Sequence, residues 1–127
     1  MKIAITVWGN RVSPVFDAAS TLFIAEVQNR AILKKNYAAF NPEVPADLLS
    51  LLKKKRISIL ICGAISTKSA ELLVENDIKL ISFVTGNALK LLDDFASKQT
   101  IEKTFIMPGC NRQYCWHNIP GKFHLET

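Results

Sequence analysis

Residues 57–66 read Ile-Ser-Ile-Leu-Ile-Cys-Gly-Ala-Ile-Ser. An apolar run of this kind, stopped by a glycine, is typical of a strand covered on both faces. Ser66 or Thr67 follows at once and suits the cap of a helix over residues 67–76. A buried strand that turns directly into a helix is the repeating unit of a parallel α/β sheet.

The same grammar extends to both sides. Upstream, Pro45 suits a first helical turn, because its missing N–H would have had no partner there. Leu48, Leu49 and Leu52 keep helical spacing through residues 45–55, and Lys53-Lys54-Lys55-Arg56 closes that helix where cations suit the dipole. Downstream, Lys79-Leu-Ile-Ser-Phe-Val84 reads as another buried strand. Thr85-Gly86-Asn87 then caps a helix over residues 87–97, with Leu89, Leu92, Phe95 and Ala96 as its expected inward face. Towards the N-terminus, residues 2–8, 21–28 and 31–37 read as three strands, the last two joined by a turn at Asn29-Arg30. Lys34 and Lys35 make the third of these the expected sheet edge. The order β-β-β-α-β-α-β-α predicts one α/β domain over residues 1–97, a mixed five-stranded sheet with three helices. Residues 98–127, rich in Pro, Gly, Cys and His, read as a C-terminal tail or flap.

Composition narrows the function classes. The chain has 127 residues, of which 49% are hydrophobic and 21% charged, so it folds as a globular domain. No apolar run approaches the roughly 20 residues that span a bilayer. No signal-peptide layout opens the chain, so a cytoplasmic location and no membrane partner are expected. The net charge is +5. The basic groups at 34–35 and 53–56 read as solvated ends of a strand and a helix. Without a recognition helix or basic residues interleaved with stacking aromatics, nucleic acid is not an expected partner.

Three connections fall at the carboxyl ends of the expected strands: residues 9–17, 63–67 and 85–87. Open α/β sheets bind ligands at that end. Asn10, Arg11, Ser13 and Asp17 supply amide, guanidinium, hydroxyl and carboxylate. Gly63, Ser66, Thr85 and Gly86 sit where helix N-termini present free amides to anions. Together they predict an anion-friendly cleft. In the tail, Cys110, Cys115 and His117 carry thiolate and imidazole suited to iron or zinc. With His124 further on, two cysteines and two histidines could complete four ligands only by loop folding, so free thiols in a tail fit equally well. The first strand holds no carboxylate to partner Asp17, and no anchored Cys–His pair or Walker loop is present. No enzymatic activity is expected.

The segment Trp8-Gly-Asn-Arg-Val-Ser-Pro-Val-Phe-Asp17, with the later strand ending Ile-Cys62-Gly-Ala-Ile-Ser66, resembles the dinitrogenase iron–molybdenum cofactor biosynthesis family over about residues 1–97. The resemblance implies a ribonuclease H-like α/β fold. It also implies non-catalytic binding or carriage of an iron–sulfur or iron–molybdenum-type cofactor or its precursor. By position, Asn10, Arg11, Ser13, Pro14 and Asp17 match the family's loop, and Gly63 and Ser66 its second turn. The implied partners are the metal cluster and a donor or acceptor protein for it. The residues themselves leave a cofactor-free protein-interaction module open, docking through Trp8, Phe16, Tyr114 and Trp116.

Overall fold

The computed structural model describes residues 1–98, 101–107, 116–117 and 125–126. β1 (Lys2–Trp8) lies near the middle of a mixed sheet. On one side it pairs antiparallel with β3 (Thr21–Gln28), which pairs antiparallel with β4 (Ala31–Ala39). On the other it pairs parallel with β5 (Ile59–Ile61), which pairs parallel with β6 (Lys79–Ile81). These are the five expected strands in the expected mixture of directions. α1 (Pro45–Lys54) joins β4 to β5, α2 (Thr67–Glu75) joins β5 to β6, and α3 (Ala88–Lys98) follows β6. No helix among the described residues is long and apolar enough to cross a membrane.

Alternation along β1 divides the core. Ile3, Ile5 and Val7 face one cluster with Phe23, Ile61, Leu91 and Phe95, under α3. Ala4 faces the other with Leu22, Leu60, Leu48, Leu52 and Leu73, under α1 and α2. Ile59, Leu60 and Ile61 are at most 1% exposed. Both faces of β5 are therefore covered, which is why its sequence is apolar without alternation.

Local signals account for most boundaries. Pro45 opens α1 at its first turn. The Ser66 hydroxyl accepts from the Ser69 amide and caps α2, and the Asn87 side chain accepts from the Lys90 amide at the start of α3. Asn29 and Arg30 both take positive φ between β3 and β4, the two-residue hairpin geometry whose twist suits a sheet. β4 is the sheet edge, and it carries Lys34 and Lys35.

Several features depart from the expectations. Residues 9–17 do not form one open loop: β2 (Arg11–Val12) folds straight back on β1 around Gly9, whose φ is +63°. β5 and β6 are shorter than the apolar runs that hold them. β6 stops at Ile81, and two residues on Phe83 turns left-handed, with φ +61°. The inward stripe of α3 is Ala88, Leu91, Leu92, Phe95 and Ala96, and Leu89 is 44% exposed. That stripe has the i, i+3, i+4, i+7, i+8 spacing of a helix lying on a core, and it carries Leu89 to its outer border. Beyond residue 98, β7 (Ile101–Glu102) pairs parallel with β9 (Leu125–Glu126). β8 (Trp116–His117) adds to the outer edge of β6.

Candidate functional site

β1, β5 and β6 run parallel, so the connections that follow them emerge at one end of the sheet. Backbone hydrogen bonds then stitch these connections to one another. The Val12 amide donates to the Gly86 carbonyl, and the Ala88 amide to the Asn10 carbonyl, each at 2.9 Å. The Ala64 amide donates to the Pro14 carbonyl at 2.9 Å, and the Phe16 amide to the Ala64 carbonyl at 2.7 Å. The Phe83 amide reaches the Gly63 carbonyl at 2.9 Å. Residues 10–16, 63–64 and 83–88 thus form one continuous rim.

Gly63 shows how tight the rim is. A Cβ at this position would collide with the Ser13 carbonyl oxygen and lie 2.6 Å from that of Pro14. Only glycine lets the two backbones meet. Gly86, at φ +119°, plays the same part against the Phe105 ring, which a Cβ would approach to 2.9 Å. The Thr85 amide donates to the Phe105 carbonyl at 2.7 Å.

The rim divides into a saturated half and an open half. At the start of α2, the Asp17 carboxylate accepts from the Ser66 amide at 3.1 Å, the Ser66 hydroxyl at 3.2 Å and the Ser69 hydroxyl at 2.5 Å. The chain's own carboxylate therefore sits where a helix N-terminus would receive an anion. Ser13 is buried, and its hydroxyl donates to the Val15 carbonyl at 3.1 Å. Of the expected cleft residues, Asp17, Ser66 and Ser13 are engaged with the protein itself.

On the other half, Trp8 and Arg11 stand directly opposite each other in the β1–β2 ribbon. Opposed residues share a face of an antiparallel ribbon. Trp8 is 77% exposed, and Arg11 is exposed with no charged partner among the described residues. Beside Trp8 lies a cleft of about 360 Å³ lined by Ser13, Pro14, Val15 and Ala18. Asn10 is exposed in the turn between Trp8 and Arg11. Sequence reasoning missed this pairing. Its signal was Gly9-Asn10 between two residues able to face each other, a two-residue hairpin cue.

The expected metal ligands are only partly placed. Cys110 and Cys115 lie outside the described residues. His117 is in β8, opposite Leu80 of β6. Trp116 is opposite Ile81, at the carboxyl end of β6, and the Met107 amide donates to the Phe83 carbonyl at 2.9 Å just beyond it. Both of these anchors therefore lie at the rim. Among the described residues, no three His, Cys, Asp or Glu side chains gather as a metal site. Cys62, one of the three cysteines, is fully buried, and burial, with the nearby Asp17 charge, pushes its thiol far up.

Comparison with known proteins fits this fold. The protein PH0822 superposes with a TM-score of 0.68 at 18% identity, over 76% of this chain and 90% of that one. The apo form of the orange protein from Desulfovibrio gigas gives 0.61 at 19%, over 77% and 88%. A candidate dinitrogenase of Methanocaldococcus jannaschii gives 0.60 at 18%, over 76% and 88%. At these identities the likeness is one of fold. No curated protein matches by sequence. The profile of the family described as dinitrogenase iron–molybdenum cofactor matches residues 1–98, and the chain belongs to that family.

Proposed function

We propose that the protein is a non-catalytic holder of an iron–sulfur or iron–molybdenum-type cluster, or of a precursor, which it takes from or passes to another protein. The observation that carries this reading is the cleft beside Trp8, with Arg11, which has no charged partner among the described residues, on the same face of the ribbon as Trp8. Such clusters are anionic and soft. A guanidinium beside an aromatic wall supplies a cation and a low-dielectric surface, which strengthens the attraction. Asp17 and Ser66 serve the rim as scaffold, as do the Thr85 amide and the Gly86 carbonyl, which are bonded to Phe105 and Val12. Family membership supports a role connected with iron–molybdenum cofactor assembly. The orange protein, similar in fold, was solved as an apo form, so that protein has a ligand-carrying counterpart. Cys62 is no nucleophile: the thiolate is the reactive form, and burial suppresses it.

The test is anaerobic loading of the full chain with ferrous iron, sulfide and tetrathiomolybdate. Desalting, metal analysis and visible absorbance follow. Wild type should retain metal and sulfide together, and Arg11→Gln should retain several-fold less. Cys110→Ala with Cys115→Ala separates a thiol ligand role from retention by the rim alone. Failure of wild type to retain any metal ends the reading.

A second reading rests on Trp8 itself. A tryptophan 77% exposed, next to Val15 at 46%, also suits a protein contact. Phe16 does not contribute, because it is buried. Capture of a partner indifferent to metal, and lost in Trp8→Ala, favours this module over the cluster holder.

A further inference from the structure

Between the start of α3 and the hairpin of β3 and β4 lies a recess of about 420 Å³, on a different part of the surface from the cleft beside Trp8. Phe23, Tyr37, Leu89, Asn10, Asn87 and Lys35 line it. Tyr37 stacks on Phe23 with ring centroids 4.9 Å apart and planes inclined by 25°. Phe23 is buried, and Tyr37 is 64% exposed. Packing therefore holds one side of the tyrosine ring while the rest is presented outward. Leu89, turned out of the core by the helical stripe, adds an apolar wall from α3.

The polar groups here are unspent. The Asn87 side-chain oxygen accepts from the Lys90 amide at 3.0 Å, which fixes the side chain and leaves its NH2 group without a partner among the described residues. The Asn10 side-chain amide and the Lys35 ammonium likewise bond to no described residue. Asn10 is held in place through its carbonyl, bonded to the Ala88 amide.

We propose that this recess binds a mononucleotide. The aromatic platform selects a flat ring, and the two carboxamides offer donors and acceptors to a heterocycle edge. The ammonium suits a phosphate. The volume lies in the range of small-molecule sites. A nucleic acid strand needs successive platforms along a basic groove, whereas one platform with one cation matches a single nucleotide.

Calorimetric titration of the full chain with adenosine, AMP, ATP, GMP and CMP tests this. AMP is expected to bind saturably and more tightly than adenosine. Tyr37→Ala should weaken AMP about fivefold or more, the scale of a lost base stack, while Tyr37→Phe keeps the affinity. Lys35→Gln should abolish the preference of AMP over adenosine. Leu89→Glu, at an exposed position, should also weaken AMP, and it keeps the test available if Tyr37→Ala misfolds. No saturable heat from any of the five compounds at millimolar concentration overturns the proposal. So does unchanged affinity in folded Tyr37→Ala, or an AMP preference that survives Lys35→Gln.

Discussion

The carboxylate of Asp17 lies 3.1 Å from the backbone nitrogen of Ser66, at the start of α2. The two residues are 49 apart in the chain. This contact binds the turn after β2 to the turn after β5, and it supplies a helix N-terminus with an internal anion.

The first prediction follows from that charge. Burial acts to raise the pKa of Asp17, but hydrogen bonds from Ser69 and Ser66 outweigh it and hold the carboxyl below its ordinary value. A group with a depressed folded pKa stabilises the fold above its unfolded pKa of about 3.9, and that stabilisation is lost as pH falls through the lower folded value. Asp17→Asn should therefore cost about 1 kcal/mol at pH 7, a typical value for a cap and dipole contact. Denaturant unfolding of both proteins should show the gap closing in acid. A gap unchanged at low pH would mean that the charge of Asp17 contributes nothing.

Gly63 provides the second. A Cβ there must push apart the Ser13 and Pro14 carbonyls, and both are backbone atoms that no rotamer change can move. Gly63→Ala should destabilise by about 1–3 kcal/mol, the usual range for overpacking. It should also loosen residues 13–16, so amide exchange of Phe16 and Ala64 should quicken beyond the global effect. Wild-type exchange at those two amides would show that the rim is not clamped at Gly63.

The sequence displayed the sheet and the helices because burial leaves a period. The run at 57–62 and the caps at Ser66 and Asn87 are local signals, readable within a few residues. The rim is legible only in part, since its contacts are long-range. Nothing near Asp17 announces Ser66, and nothing near Gly63 announces the Ser13 carbonyl. Leu89 misleads for a different reason: with Leu92 it fits a helical face, but Ala88 and Leu91 fit a better centred one. β2 was hidden because two residues are too few to alternate.

Phe83 carries no local signal at all, since left-handed backbone normally selects Gly or Asn. Its φ of +61° gives the third prediction. A residue with a Cβ in this conformation costs about 1–2 kcal/mol relative to glycine. Phe83→Ala and Phe83→Gly lose the same aromatic ring apart from one methyl. The glycine variant should nevertheless be the more stable by about 1 kcal/mol, the reverse of the order in a strand or helix. Thermal unfolding of the pair measures this directly, and equal midpoints would remove the strain.

Cys62 gives the last. It is fully buried in the cluster under α1 and α2, alongside Leu60, Leu73 and Leu80. Burial, helped by the Asp17 charge, pushes the thiol far above its ordinary range, and the thiolate is the form that reacts with thiol reagents. In a protein carrying Cys110→Ala and Cys115→Ala, a disulfide reagent should titrate no thiol in the native state and one in guanidinium. Raising the pH to about 9, just above the ordinary thiol pKa, should not change the native result, because the raised pKa keeps the thiol protonated there. The same burial makes the site intolerant of polarity. Cys62→Ser replaces the thiol by a more strongly hydrogen-bonding hydroxyl in an apolar cluster and should cost about 1–3 kcal/mol, whereas Cys62→Ala loses only the sulfur's contacts. Rapid native-state labelling of Cys62 would show that the layer beneath the rim opens far more often than its packing implies.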